Sequence, residues 1–215
     1  MLFDDRGHAA RLLVRRLRAS YKGKNPLVLA IPRGAVPMAK IIADALGGEL
    51  DVVLVHKLGY PGQSELAIGA IDETGSVFLA DYAREIEPEY LELEKSRQLD
   101  VLRTRRARYT PGRQPIDPRG RIVIVVDDGI ATGSTMTAAL RAVRRQQPEK
   151  LVGAVAVASA MAARAISQET DDLVCLSVPP EFYAVGQFFR DFSQVTDDDV
   201  ITILKRHEAR TAALG

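Results

Sequence analysis

Short apolar runs alternate along this chain with stretches whose apolar residues recur at helical spacing. Ala9, Leu12, Leu13 and Leu17 fall on one helical face, so residues from about 4 to 20 are predicted to form an amphipathic helix starting near Asp4 or Asp5. Leu27 to Ile31 is entirely apolar and closes at Pro32, the pattern of a strand buried on both faces. Helical spacing returns from Val36 to Leu46 and stops at the Gly47-Gly48 pair. Asp51 to His56 is predicted as a second strand. Lys57 to Glu65 carries two glycines and a proline and reads as a mobile loop. Leu66–Ile71 and Ser76–Leu79 are predicted as a β-hairpin turning through Asp72-Glu73-Thr74-Gly75.

From Pro88 to about Tyr109 the pattern predicts a long charged helix, acidic first (Glu89, Glu92, Glu94) and basic later (Arg97, Arg103, Arg105, Arg106, Arg108). That polarity complements the helix dipole without calling for a partner. A nucleic-acid surface is the sharper alternative, but the arginines are not interleaved with aromatics. Pro111 to Gly120 is a turn-rich connector. Then come a strand at Arg121–Val126, a helix from Ser134 to about Gln147, a strand at Leu151–Val157, a helix near Met161–Gln168 and a strand at Leu173–Val178. This alternation predicts an α/β fold with a doubly wound, mainly parallel twisted sheet. No internal repeat or low-complexity linker divides it, so residues 1–215 are expected to form one domain.

Composition narrows the function classes. Twenty-nine basic residues against 28 acidic ones leave a formal charge of +1, so no bulk field favours nucleic acid or a membrane. The single cysteine, Cys175, lies in an apolar run and reads as a small core side chain, which fits a reducing cytosol. The sequence shows no apolar stretch long enough to span a bilayer and no signal-peptide centre, so a soluble cytoplasmic protein is expected. His8, His56 and His207 do not cluster in sequence, and no zinc spacing is present.

The chemistry is concentrated between Ile122 and Thr135. An all-apolar strand ends in Asp127-Asp128, and a loop of small residues then opens a helix. Gly129, Ala131 and Gly133 let the backbone approach an anion closely. The amides at the helix start, with the hydroxyls of Thr132, Ser134 and Thr135, suit a phosphate monoester. Asp127 and Asp128 are acceptors for vicinal sugar hydroxyls, directly or through a divalent cation. A dinucleotide site would put its glycines before a distant acid, and a Walker loop would need a lysine that this loop lacks. An ordinary strand–turn–helix connection does not account for two adjacent acids ending an apolar strand. A phosphorylated ribose does.

The segment resembles the 5-phosphoribosyl 1-pyrophosphate (PRPP) signature of type I phosphoribosyltransferases: four hydrophobics, two acids, two variable residues, then Ala131-Thr132-Gly133. Ile31-Pro32-Arg33-Gly34-Ala35 resembles the family's pyrophosphate loop, where an Arg-Gly step often carries a cis peptide. Lys57 stands where the family has its pyrophosphate-contacting cation. Lys57–Glu65 corresponds to the flexible loop, and Val185–Phe192 to the hood that frames a purine, within a C-terminal segment of about 179–195. The helix at about 88–109 is an insertion.

The resemblance implies an enzyme that transfers the phosphoribosyl group of PRPP to a nitrogenous base and releases pyrophosphate. Arg33 and Lys57 would stabilise the leaving group, with Mg2+ held mainly by PRPP and by Asp127, Asp128 or Asp191. Val185, Phe188 and Asp191 would form the base pocket. Among Phe182, Tyr183, Phe188, Phe189 and Phe192, core packing is expected to use about half. Ala131 departs from the hypoxanthine–guanine members, which place an aspartate there, so Glu65 or Asp191 becomes the candidate general base and the acceptor stays open. The family's usual arrangement is a homodimer, although no interface is legible. The alternative from another class is a non-catalytic PRPP- or nucleotide-sensing regulator of the same fold.

Overall fold

The computed structural model describes residues 2–79, 83 and 86–212, with the backbone alone for 64–67 and 211–212. Five strands form an all-parallel sheet: β1 (Leu27–Ala30), β2 (Glu49–Val52), β6 (Ile122–Ile130), β7 (Lys150–Ala158) and β8 (Asp172–Ser177), ordered β2-β1-β6-β7-β8. Leu27 pairs with Val123 and Ala30 with Val126, which aligns the carboxyl ends of the two central strands. Alternate residues then feed two separate cores. Val28, Ala30, Ile124 and Val126 face α1 (Arg6–Tyr21) and α2 (Val36–Leu46) through Leu13, Leu17, Met38 and Ile42. Leu27, Leu29, Val123 and Val125 face α4 (Ser134–Arg145) and α5 (Ala160–Glu169) through Met136, Leu140, Val143 and Ile166. Burial on both faces is why these runs do not alternate with polar residues. Each fully buried aliphatic side chain contributes about 1.5–3 kcal/mol of transfer free energy.

The sequence-predicted elements recur with small boundary shifts, and three differences are informative. Asp51–His56 is not one strand. The chain leaves the parallel sheet after Val52 and enters a three-stranded antiparallel sheet of β3 (Val55–Tyr60), β4 (Gln63–Asp72) and β5 (Val77–Leu79). Val52, Val53 and Leu54 are all buried, so hydrophobicity alone hides the switch. The predicted loop at Lys57–Glu65 is instead a second hairpin, with Tyr60 opposite Gln63 across Pro61 and Gly62, the latter at φ 73°. Proline followed by a left-handed glycine is the chemistry of a tight turn. The Leu66–Ile71/Ser76–Leu79 pairing is present as β4–β5, and Asp72 closes its turn by accepting from the amides of Thr74 and Ser76 at 2.8 and 3.0 Å.

The third difference is α6 (Asp197–Ala212), a C-terminal helix beyond the sequence reading. Thr196 and Asp199 cap it reciprocally: the Thr196 amide donates to Asp199 Oδ2 at 2.8 Å and the Asp199 amide to Thr196 Oγ1 at 3.1 Å. Val200 and Leu204 are buried against the α1–α2 core. A Thr-x-x-acid step ahead of an apolar pattern was the legible signal.

The long helix α3 (Pro88–Tyr109) has the predicted polarity, but Arg106 does more than match the helix dipole. Its guanidinium is buried, donates to both Glu73 oxygens at 2.6 Å and to Asp51 Oδ1 at 2.8 Å, and also reaches the Val52 carbonyl at 2.8 Å. Asp51, fully buried, also accepts from Arg113 at 2.9 Å and the Ile116 amide at 3.1 Å. One ionic cluster thus joins β2, the β4–β5 turn, α3 and the connector. Near its start, α3 holds β3, where the Tyr90 hydroxyl donates to the Gly59 carbonyl at 3.0 Å. Cys175 is partly buried and its thiol meets the Ser177 carbonyl at 3.2 Å; burial pushes that thiol up.

Candidate functional site

Strand β6 continues past Val126 to Ile130, so Asp127 and Asp128 are its last polar residues at the carboxyl edge of the sheet. That edge is where open α/β sheets receive ligands. Asp127 Oδ1 accepts the Asp128 amide at 2.9 Å, and Asp128 Oδ2 accepts Arg6 Nε at 2.8 Å. Burial holds the Asp127 carboxyl well above the usual carboxylate range, and the neighbouring Asp128 charge adds to it. Burial raises Asp128 as well, against the opposing hydrogen bond and charge of Arg6.

The loop after β6 turns outward. Ala131, Thr132, Ser134 and Thr135 are exposed, whereas Gly133 is buried at the N-cap of α4. Gly133 at the N-cap has no side chain to cap that helix start, and the Ser134 amide makes only a long contact, 3.5 Å, to Thr132 Oγ1. The Thr132 and Ser134 hydroxyls lie 3.2 Å apart, and the Ala131 carbonyl is fixed by the Ser159 hydroxyl at 2.6 Å. Beside the loop, a cavity of about 310 Å³ separates Thr132, Ser134 and Thr137 from Gly69, Ala70 and Phe78 of the antiparallel sheet. Sequence reasoning did not anticipate this wall. Lys57, exposed on β3, pairs in register with Ala70 and so stands on the sheet that faces the loop. Glu65 has its backbone in β4, and its side chain lies outside the described residues.

The loop after β1 approaches the same carboxylates. The Pro32–Arg33 peptide is cis, one step before the Arg-Gly step. Gly34 lies so close to Asp128 that a Cβ there would meet the Oδ2 atom at 2.1 Å. Arg33 is exposed, with Nη1 3.7 Å from Asp197 Oδ1 at the start of α6. Asp197 also accepts from the Tyr109 hydroxyl at 2.6 Å and Arg108 at 2.8 Å. The Tyr109 hydrogen bond, with the nearby arginines, holds the Asp197 carboxyl below its ordinary range.

The C-terminal segment closes over the other side. Val185–Phe188 forms a 3₁₀ turn, and a Cβ on Gly129 would fall 2.5 Å from a Val185 methyl, so the turn rests directly on β6. The segment is tied to the N-terminus: Phe3 donates to the Phe188 carbonyl at 2.8 Å, and the amides of Arg190 and Asp191 donate to Phe3 and Asp4 carbonyls at 2.9 Å. Phe188 and Phe189 are buried, Phe188 against Phe182 at a centroid distance of 5.3 Å, while Tyr183 and Phe192 are exposed. Asp191 is exposed and accepts from both the amide and the hydroxyl of Ser193, which lowers its carboxyl below the ordinary range. Arg6, a residue that no sequence spacing singled out, lies between this segment and Asp128. Gly34, the acid pair, the 131–135 loop and the C-terminal turn therefore converge on one edge of the sheet, while Arg33 leans away toward α6.

This arrangement has its counterpart among known proteins: the Phosphoribosyl transferase domain matches residues 5–192. The chain belongs to that family. The matched span runs from the cap of α1 to Phe192 and takes in the loop after β1, the acid pair, the 131–135 loop and the Val185–Phe188 turn, while Asp197 of α6 lies beyond it. A protein of Mycobacterium tuberculosis strain H37Rv, provisionally named a phosphoribosyl transferase, is 42% identical over 217 residues, covering 100% of this chain and 49% of its own length. The chain thus spans about half the length of the curated relatives it matches. The crystallised protein TT1426 of Thermus thermophilus is 46% identical, with a TM-score of 0.86, and the alignment covers 96% of this chain and 99% of that one. Among the described residues no helix is long and apolar enough to cross a membrane, and no three His, Cys, Asp or Glu side chains gather as a metal site.

Proposed function

We propose that the protein transfers the 5-phosphoribosyl group of PRPP to a nitrogen acceptor, a purine being favoured by the hood, with release of pyrophosphate. The observation that carries this reading is the Asp127–Asp128 pair near the end of β6, followed by a short loop into a helix start whose N-cap is Gly133 and which Thr132 and Ser134 line. Amides 131–135 and these hydroxyls would hold the 5-phosphate, and the two acids the ribose hydroxyls. The bond from C1 to the pyrophosphate oxygen breaks as the acceptor nitrogen bonds C1. Positive charge gathers on the ribose, near the carboxylates, and negative charge on the departing pyrophosphate. Arg33 and Lys57 are the cations suited to that leaving group once Arg33 exchanges Asp197 for it. A magnesium ion, if bound, would supply further charge stabilisation on the pyrophosphate. Asp127 and Asp128 are the oxygen donors that would hold such a hard cation, its remaining ligands coming from the substrate. Glu65 and Asp191 are the proposed sources of a general base; the Ser193 hydrogen bonds keep Asp191 ionised and at the same time make it a weaker base.

The test is calorimetric titration with PRPP and magnesium, followed by pyrophosphate release across a panel of purine and pyrimidine bases. Binding with release for at least one base supports the transferase, and binding with no release for any base points to a sensing regulator. Asp128→Asn is expected to weaken PRPP binding by about 10-fold or more, the loss of a charged hydrogen-bond acceptor. Unchanged affinity would show that the ribose lies elsewhere.

A further inference from the structure

Arg6 stands at a junction of three segments that are distant in sequence. Its Nε donates to Asp128 Oδ2 at 2.8 Å, its Nη1 donates to the Ser193 carbonyl at 2.7 Å, and its guanidinium lies 3.8 Å over the Phe192 ring. Its Nη2 is 3.2 Å from where a Cβ on Gly34 would sit. The side chains of Arg6 and Asp128 are each only 13% exposed. Arg6 is the first residue of α1, whose start is fixed by Asp5 accepting the His8 amide at 2.6 Å and whose inner face buries Leu13 and Leu17. The guanidinium is therefore mounted on a rigid element and reaches outward to the pyrophosphate-type loop, the acid pair and the hood.

We infer that Arg6 is a positioning residue that locks the hood to the ribose carboxylates, an assignment that rests on the phosphoribosyl reading above. One planar fork fixes the direction of the Asp128 carboxylate through Oδ2. The same fork pins Phe192, the hood ring that remains partly exposed, by stacking. Ribose binding and hood placement thereby share one side chain. A lysine could restore the charge beside Asp128, but not the fork or the stack.

The experiment measures PRPP–magnesium affinity of the full chain by calorimetry for wild type, Arg6→Met, Arg6→Lys, Phe192→Leu and the Arg6→Met/Phe192→Leu double variant, with thermal unfolding of each. Arg6→Met is expected to weaken binding by about 10-fold or more, as befits a charged hydrogen bond. Arg6→Lys should recover part of that loss. Phe192→Leu should weaken binding less than Arg6→Met, and the double variant should bind no more weakly than Arg6→Met alone, because the ring acts through the guanidinium. Wild-type affinity in Arg6→Met, or fully additive losses in the double variant, would overturn the assignment. If Arg6→Met does not fold, the Lys and Leu variants decide it: wild-type affinity in both would overturn the role. Failure of wild type itself to bind PRPP would instead overturn the phosphoribosyl reading, so the two outcomes are distinct.

Discussion

Gly34 and Asp128 touch: any β-carbon at position 34 would fall 2.1 Å from a carboxylate oxygen of Asp128. The loop after β1 and the acid pair at the end of β6 are thus packed as one surface, with no room for a side chain between them. Gly34→Ala is expected to displace the Asp128 carboxylate and break its bond to Arg6. Overpacking of this kind costs about 1–3 kcal/mol, read by urea unfolding, and PRPP affinity should fall with it. A variant with wild-type stability and affinity would show that the two segments separate freely.

Asp127 illustrates a conflict between stability and function. Its folded-state pKa is raised by burial and by Asp128, so the folded state holds a proton that the unfolded chain releases at lower pH. Its contribution to stability therefore falls as pH rises from the ordinary carboxylate range through the folded value. Asp127→Asn should raise the thermal midpoint of the ligand-free protein at pH 8, with the gain vanishing near pH 4. PRPP affinity should drop in the same variant. A gain that grew on acidification would contradict the sign of the shift.

The contact between Gly129 and Val185 is a second place where absence of a side chain shapes the site. Gly129→Ala should push the hood turn off β6 and destabilise by about 1–3 kcal/mol. Val185→Ala removes the methyls that the new Cβ would strike, although Val157 also lies nearby at 2.9 Å. The double variant Gly129→Ala/Val185→Ala is expected to be more stable in urea than the sum of the single effects. Simple additivity would mean that the turn does not rest on Gly129.

Arg106 anchors a buried ionic cluster rather than a surface face. Arg106→Met leaves Glu73 and fully buried Asp51 without their main cation, a loss of about 3–5 kcal/mol. Arg106→Lys should recover little, because one ammonium cannot serve Glu73, Asp51 and the Val52 carbonyl together. Equilibrium urea unfolding of both variants checks this, and a fully stable Lys variant would show that the fork geometry is not needed.

Much of this protein was determined by local sequence. Two-sided burial wrote the strands at Leu27 and Val123 as unbroken apolar runs, and the step from Asp127 to Ser134 carried its own chemistry because strand, acids, loop and helix start are contiguous. Local pattern also held the turn at Pro61-Gly62 and the cap at Thr196 and Asp199, although both are easily passed over among polar residues. What it could not decide was partnership across the chain. Arg6 and Asp128 are 122 positions apart, and Arg106 and Asp51 are 55 apart. A lone arginine on a helix looks the same whether it ends in water or on a buried carboxylate. The acid pair was legible, but only the tertiary structure supplied Arg6 beside Asp128, Gly34 against it and the hood above, since those contacts arise from packing separate elements onto one sheet edge rather than from any periodicity along the chain.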